Sequence, residues 1–262
     1  MSSQAYTIGS INLLPEAEKR KVYGDLIPDE LLQRFGIDRS FLDSQGRSLI
    51  QARWAPGSPS AELSLFHEAG FPDPLLYGHL TDTMAGQVHI LLYVLNDPDS
   101  ERFDVDRMPD GQPTVFGTSR RNLAAEQAAL EAGLAPGQIR RGLRLLTPAI
   151  HAFENFIREL GHDSFFAEPL YYHNAVIFER YGFAYQQGRR LMERIHAGFS
   201  EGGDLLPKLD GSTFRRGEAR DSIRLRSWAI HDGILGEPYT RVTMYKRVGR
   251  HAGIKTTGDI GW

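Results

Sequence analysis

The 262-residue chain contains no cysteine at all, which excludes disulfides, thiolate metal centres and a cysteine nucleophile. Long apolar runs are also missing: no stretch approaches the roughly 20 residues needed to cross a bilayer. Charge of one sign is not in excess. A formal net charge of -3 gives no general reason to expect a nucleic-acid or acidic-membrane partner. The first residues, Met1-Ser-Ser-Gln-Ala-Tyr6, lack the basic and apolar regions of a secretory signal, so the expectation is a cytoplasmic, bacterial protein. Lysine is scarce, occurring only at Lys19, Lys21, Lys208, Lys246 and Lys255, and arginine supplies the remaining basic charge. Genome base composition explains such a bias. So does a need for planar, fork-shaped donors to anions, and only local clustering separates the two.

What is present reads as an ordinary globular protein, 41% hydrophobic and 24% charged. Residues 1–60 form an irregular extension with one short helix, Pro28–Gly36, which has proline at its start and glycine at its stop. A second short helix is expected at Ala61–Ala69. Gln87–Leu95 is the clearest strand and, being almost wholly apolar, is expected to be central and covered on both faces. Arg102–Asp106 and Thr114–Gly117 are further candidate strands, and Asn122–Ala132 is a helix ended by Gly133. Thr147–Leu160 has the marks of a capped helix, with Thr147 as N-cap, Pro148 in the first turn and Gly161 beyond its end. Strand Ser164–Leu170, helix Asn174–Tyr181, strand Phe183–Gln186 and helix Arg189–Phe199 follow. Residues 200–220 read as a loop, Tyr239–Val248 as a closing strand, and the tail ending in Trp262 as docked. Alternating strands and helices define a mixed α+β (α/β) class built on one sheet.

Two segments carry a resemblance. Tyr171-Tyr-His-Asn-Ala-Val-Ile-Phe-Glu-Arg-Tyr-Gly-Phe183 is an amphipathic helix stopped by glycine and followed at once by a strand, and Gln138-Ile-Arg-Arg-Gly-Leu-Arg144 precedes a helix. Together with the last strand, residues 138–248 resemble the second half of a GNAT acyltransferase domain. The resemblance implies a GNAT-like central mixed sheet flanked by helices. The core would span 61–248 with an insertion at about 188–238, the extension 1–60 before it and the tail 249–262 after it. It also implies acetyl-CoA or another acyl-CoA as cofactor, with its phosphates held by Gln138, Arg140, Arg141, Gly142 and Arg144. The general physics agrees, because a helix N-terminus offers unpaired donors and partial positive charge to an anion. The sequence departs from the family pattern in several places: Ile139, not Gln138, holds the strict position before Gly142, and Tyr171 falls where the family's usual asparagine stands. Arg144 stands where the family has glycine or alanine, and Phe178 stands where many members carry the tyrosine that protonates the departing thiolate.

An acylated amine must lose a proton, and Glu168 and His173, which flank the end of the Ser164 strand, are the candidate bases or relays, with Tyr172 as a hydroxyl donor. The reading is therefore an acyl-CoA-dependent transferase acting on a small amine, with a small-molecule substrate and neither nucleic acid nor membrane as partner. Two alternatives stand beside it. The nine histidines and nearby acids (His151 with Glu154, His79 with Asp82, His231-Asp232, His89, Glu168, His173) could form a His/carboxylate centre of the non-haem iron type, although His89 on an apolar strand reads more simply as a satisfied core residue. Asp104-Val-Asp106 with Asp110-Gly111 has calcium-loop character without its spacing. The other alternative is a non-catalytic binding protein on a degenerate GNAT-like fold.

Overall fold

The computed structural model describes residues 6–115 and 120–262. Seven strands form one mixed sheet in the order β1-β2-β3-β4-β5-β7-β6, flanked by helices, which is the mixed α+β class expected. The chain divides into two compact units that interleave along the sequence. The first takes residues through Asp99, Gly142–Glu168 and Tyr245–His251; the second takes Ser100–Arg141, Pro169–Met244 and Ala252–Trp262.

The first unit opens with α1 (Ile8–Ile11), α2 (Glu16–Gly24) and α3 (Asp29–Phe35). Only α3 was expected. Its Gly36 stop adopts φ 63°, a left-handed conformation suited to glycine. Four residues are too few to sustain α1 by propensity alone. Thr7 caps it, and the Asp82 carboxylate accepts from the Ile8 and Gly9 N–H groups at 2.7 and 2.8 Å.

Strands β1 (Ile50–Arg53), β2 (Ser60–Leu65), β3 (Leu76–Asp82) and β4 (Val88–Leu95) then form an antiparallel meander. β2 corrects the helix expected at 61–69. Ala61, Leu63 and Leu65 are buried while Ser60, Glu62 and Ser64 between them are half-exposed, a period of two that belongs to a strand. Helix α5 (Leu146–Glu159) starts one residue before the expected Thr147, with Leu145 in the cap position, so Thr147 is not the N-cap. α5 packs through Phe153 against Tyr93 of β4 and Phe165 of β5 (Ser164–Ala167), at ring separations of 4.9 and 6.0 Å.

The second unit contains α4 (Leu123–Glu131), α6 (Tyr172–Arg180), β6 (Ala184–Gln187), α7 (Arg189–Gly198) and α8 (Ile223–His231). Its apolar core gathers Phe103, Val105, Ala129, Leu130 and Leu134 around Trp228. Arg102–Asp106 is not a strand: the Arg102 guanidinium pairs with both Asp104 and Asp106 and folds the segment into a turn. Thr114 and Val115 are not in a strand either, and the rest of that expected element lies outside the described residues. α8 was not anticipated. The tail is docked as expected: Ile223 N–H donates to the Gly261 carbonyl at 2.9 Å, and Glu179, buried on α6, accepts from Thr256 N–H and Oγ1. β7 (Thr243–Arg247) begins at the end of the second unit and finishes in the first. Among the described residues, no helix is long and apolar enough to cross a membrane.

Candidate functional site

The first unit contains a fork in its sheet. β4 and β5 run parallel, but they pair only at His89↔Phe166 and Ile90↔Ala167, with Glu168 N–H donating to the Ile90 carbonyl at 3.2 Å. β4 continues to Leu95 without β5 beside it. The cause lies on the other edge of β4. His79 pairs with Leu92 while Leu80 pairs with Ile90, so Leu91 is an extra residue in β4. Such a bulge bends and twists the strand that carries it. Here it does so one residue past the last parallel pair, where β5 itself ends at Ala167, so the rest of β4 runs on without a parallel partner.

The bulge also resets which backbone groups face the opening. Asn96 N–H donates to the Leu75 carbonyl on the β3 side. By alternation Val94 and Leu92 face β3 as well, and the N–H and C=O groups of Tyr93 and Leu95 face the side β5 has left. Beyond the bulge the strand is not covered on both faces as expected, since Leu92 is 36% exposed.

The α5 N-terminus closes the same end. A Cβ on Gly142 would lie 3.6 Å from the Leu95 carbonyl oxygen, so the chain re-enters this unit directly beside the end of β4. Arg34 braces the join, donating to the Leu143 carbonyl at 3.3 Å and pairing with Asp97 at 3.7 Å. Among the described residues, the backbone N–H groups of Gly142, Leu143, Arg144, Leu145 and Leu146 donate to no protein acceptor. Arg144 has φ 60°, and Leu145 follows at φ -103° and ψ 25°. A left-handed residue within such a turn makes successive N–H groups converge, which favours an anion.

Arg144 is held in the left-handed region, which glycine adopts without steric cost. A non-glycine residue held left-handed costs about 1 kcal/mol. Arg144→Gly is therefore expected to raise thermal stability by about 2–4 °C while removing an exposed charge, as read by calorimetric melting. A fall in melting temperature would show that the arginine side chain, not the backbone, holds this turn.

The other expected phosphate residues are used differently. Gln138 Oε1 accepts from Ala135 N–H at 2.7 Å, and the buried Arg140 turns its guanidinium to the Ser100 carbonyl. Arg141 donates through N–H to Ser100 Oγ at 3.1 Å and through its side chain to the Ala132 carbonyl at 3.3 Å. All three belong to the second unit, so Gly142 and Arg144 are the two that lie at the α5 N-terminus.

Of the candidate catalytic residues, Glu168 is exposed at the end of β5. His173 and Tyr172 lie at the start of α6 in the second unit and are buried. Asn174 Oδ1 accepts from Tyr171 N–H, which turns the Asn174 amide toward His173 Nε2 at 3.2 Å. That nitrogen therefore accepts, the proton sits on Nδ1, and Nδ1 donates to Ser227 Oγ at 2.8 Å. Burial pushes His173 down to about 3, so its ring is neutral with both nitrogens engaged. The Tyr172 hydroxyl is buried without a partner in hydrogen-bond geometry, and burial raises its pKa against the opposing field of Arg226.

Near His173 is a network absent from the sequence reading. Tyr171 stacks on His173 and meets His231 edge-on, each at 5.6 Å. His231 Nε2 donates to Glu126 at 3.0 Å; Arg121 also grips Glu126 and reaches Asp232 at 3.1 Å, and Arg215 pairs with Asp232 at 2.9 Å. Burial alone would raise the Glu126 pKa, but His231 and Arg121 outweigh it and hold the carboxyl below its ordinary value. Sequence spacing gives no sign of this set, because its members lie 105 and 111 residues apart.

The proposed metal ligands do not converge. Among the described residues no group of three His, Asp or Glu side chains could hold a metal ion. His79 bonds Ser60, Asp82 caps α1, and Glu154 pairs with Lys246 at 2.9 Å rather than with Arg158, whose guanidinium turns to Asn155. His89 differs from expectation in another way: its Nε2 is buried and has no partner. Comparison with protein-family models, with curated proteins and with solved structures finds no match to this chain.

Proposed function

We propose that the chain is an acyl-CoA-dependent acyltransferase acting on a small amine. The observation that carries this reading is the coincidence of the forked β4/β5 pair with a turn of five unused N–H donors at the α5 N-terminus. A coenzyme A thioester joins a pyrophosphate to a long arm that contains two amides. Its pyrophosphate suits convergent N–H groups at a helix start. Its arm suits a strand edge with free backbone groups, because an extended amide chain can add to it as another strand would. The sequence motifs within 138–183 support the same reading through their resemblance to the GNAT domain. Glu168 lies where the acyl group would end, beside the last β4/β5 pair; Phe178 leaves the thiolate without the family's usual acid.

The test is Gly142→Glu. The new Cβ meets Leu95 only at ordinary van der Waals distance, and a carboxylate at a helix start favours the helix, so the fold is expected to persist or gain slightly. A negative charge about 5 Å from a unit charge of a bound pyrophosphate costs roughly 2–3 kcal/mol at an effective dielectric of about 20–40. The expected result is a loss of CoA affinity of about 10-fold or more, measured by isothermal titration, with an unchanged melting temperature. Equal affinity in the variant would remove the phosphates from this turn.

A further inference from the structure

We propose, resting on the acyl-transfer reading, that His89 is the catalytic base: its Nε2 accepts the proton that the amine nitrogen loses as it attacks the thioester. His89 belongs to the last two residue pairs before β4 and β5 separate, one position ahead of Ile90 and about 3.3 Å along the strand from it. Its side chain is on the sheet face opposite the α5-packed Tyr93 and Phe165, and its ring meets Phe166 of β5 edge-on at 6.2 Å. Thr81 is its cross-strand partner on β3, His79 is occupied by Ser60, Tyr245 of β7 lies against Phe166, and Glu168 is two residues beyond Phe166. Further along that face Tyr77 of β3 donates to Glu62 of β2 at 2.9 Å.

A buried imidazole nitrogen without a partner is costly, and such atoms in a folded protein call for an explanation. A transient partner supplies one. Burial holds His89 below its ordinary pKa, while the field of Glu168 works the other way. The ring is thus neutral and able to accept near pH 7, and Glu168 favours the imidazolium once it forms. The exposed carboxylate is then a positioning and electrostatic residue. In the step itself the free amine's lone pair attacks the thioester carbonyl carbon. A C–N bond forms, the nitrogen's proton passes to His89 Nε2, the C–S bond breaks, and sulfur leaves with its electron pair as the CoA thiolate. The imidazolium proton returns to the thiolate or to water.

The experiment follows thiol release from acetyl-CoA with ethylamine, benzylamine and spermidine as acceptors; the chain has no cysteine, so the protein contributes no background thiol. His89→Gln is expected to lower the rate at saturating acetyl-CoA by about 100-fold or more, with CoA affinity by calorimetry unchanged. It should also lose the acidic limb of the wild-type pH–rate profile, while His89→Ala regains rate with added imidazole. Glu168→Gln should lower the rate less and keep that limb. Wild-type rate and profile in His89→Gln would overturn the assignment and leave the acyl-transfer reading standing. Failure of the wild-type protein to release thiol with any of the three amines would overturn both.

Discussion

Lowering the pH from 7 to 5 should remove about 2 kcal/mol of folding stability through His173 alone. Burial depresses its folded pKa to about 3, whereas the unfolded chain titrates near the ordinary 6.5. As the pH falls through 6.5 the unfolded state takes up a proton that the folded state refuses. Stability from this residue is therefore complete above about pH 7.5, declines from about 6.5, and is exhausted near pH 3. His89 and His196 are also depressed and act in the same direction. Urea unfolding of wild type and His173→Asn at both pH values isolates the contribution. An asparagine amide can still donate toward Ser227 Oγ, so the variant should be less stable than wild type at pH 7 but show a pH difference smaller by about 2 kcal/mol. An identical pH difference in the two proteins would mean that His173 is protonated inside the fold.

Glu126→Ala should destabilise the second unit by about 3–5 kcal/mol. The Glu126 carboxylate is buried and accepts from Arg121 and from His231, and the side-chain exposures of those partners are only 16% and 9%. Removing it leaves His231 without an acceptor and Arg121 with Asp232 alone, in surroundings too dry to compensate. Tyr171, edge-on to His231, loses its support as well. Glu126→Gln retains hydrogen-bond acceptance without the charge and should cost less than half as much. Equal losses for the two variants, by urea titration, would assign the stabilisation to charge alone.

Much of the helical framework was legible because its signals are local. Pro28 and Gly36 bracket α3, Asn122 and Gly133 bracket α4, and Gly161 and Gly182 follow α5 and α6. Several of the errors fall where distant residues decide. α1 depends on a carboxylate more than seventy positions away, and β2 was misassigned although its alternation was present. The fork itself is invisible in sequence. Leu91 becomes an extra residue only through the register of β3 against β4, and no property of Leu-Leu-Tyr announces it. For the same reason Arg140 was read as a phosphate ligand: its position suits one, and its bond to the Ser100 carbonyl 40 residues earlier turns it inward. That Gly142 and Arg144 lie just before a helix was legible, because a glycine-bearing turn ahead of a helix start is a local feature.

The most direct measurement is the amide spectrum of the isotopically labelled protein during titration with coenzyme A. Both halves of the fork have assignable reporters: the amides of Gly142, Leu143, Arg144, Leu145 and Leu146 at the α5 start, and those of Tyr93 and Leu95 on the separated strand. The prediction is saturable shifts in both sets at micromolar to low-millimolar ligand, with the α5 set responding alone to inorganic pyrophosphate. Unmoved amides at these seven positions, whether or not others shift, would contradict the proposal that this opening holds an acyl-CoA.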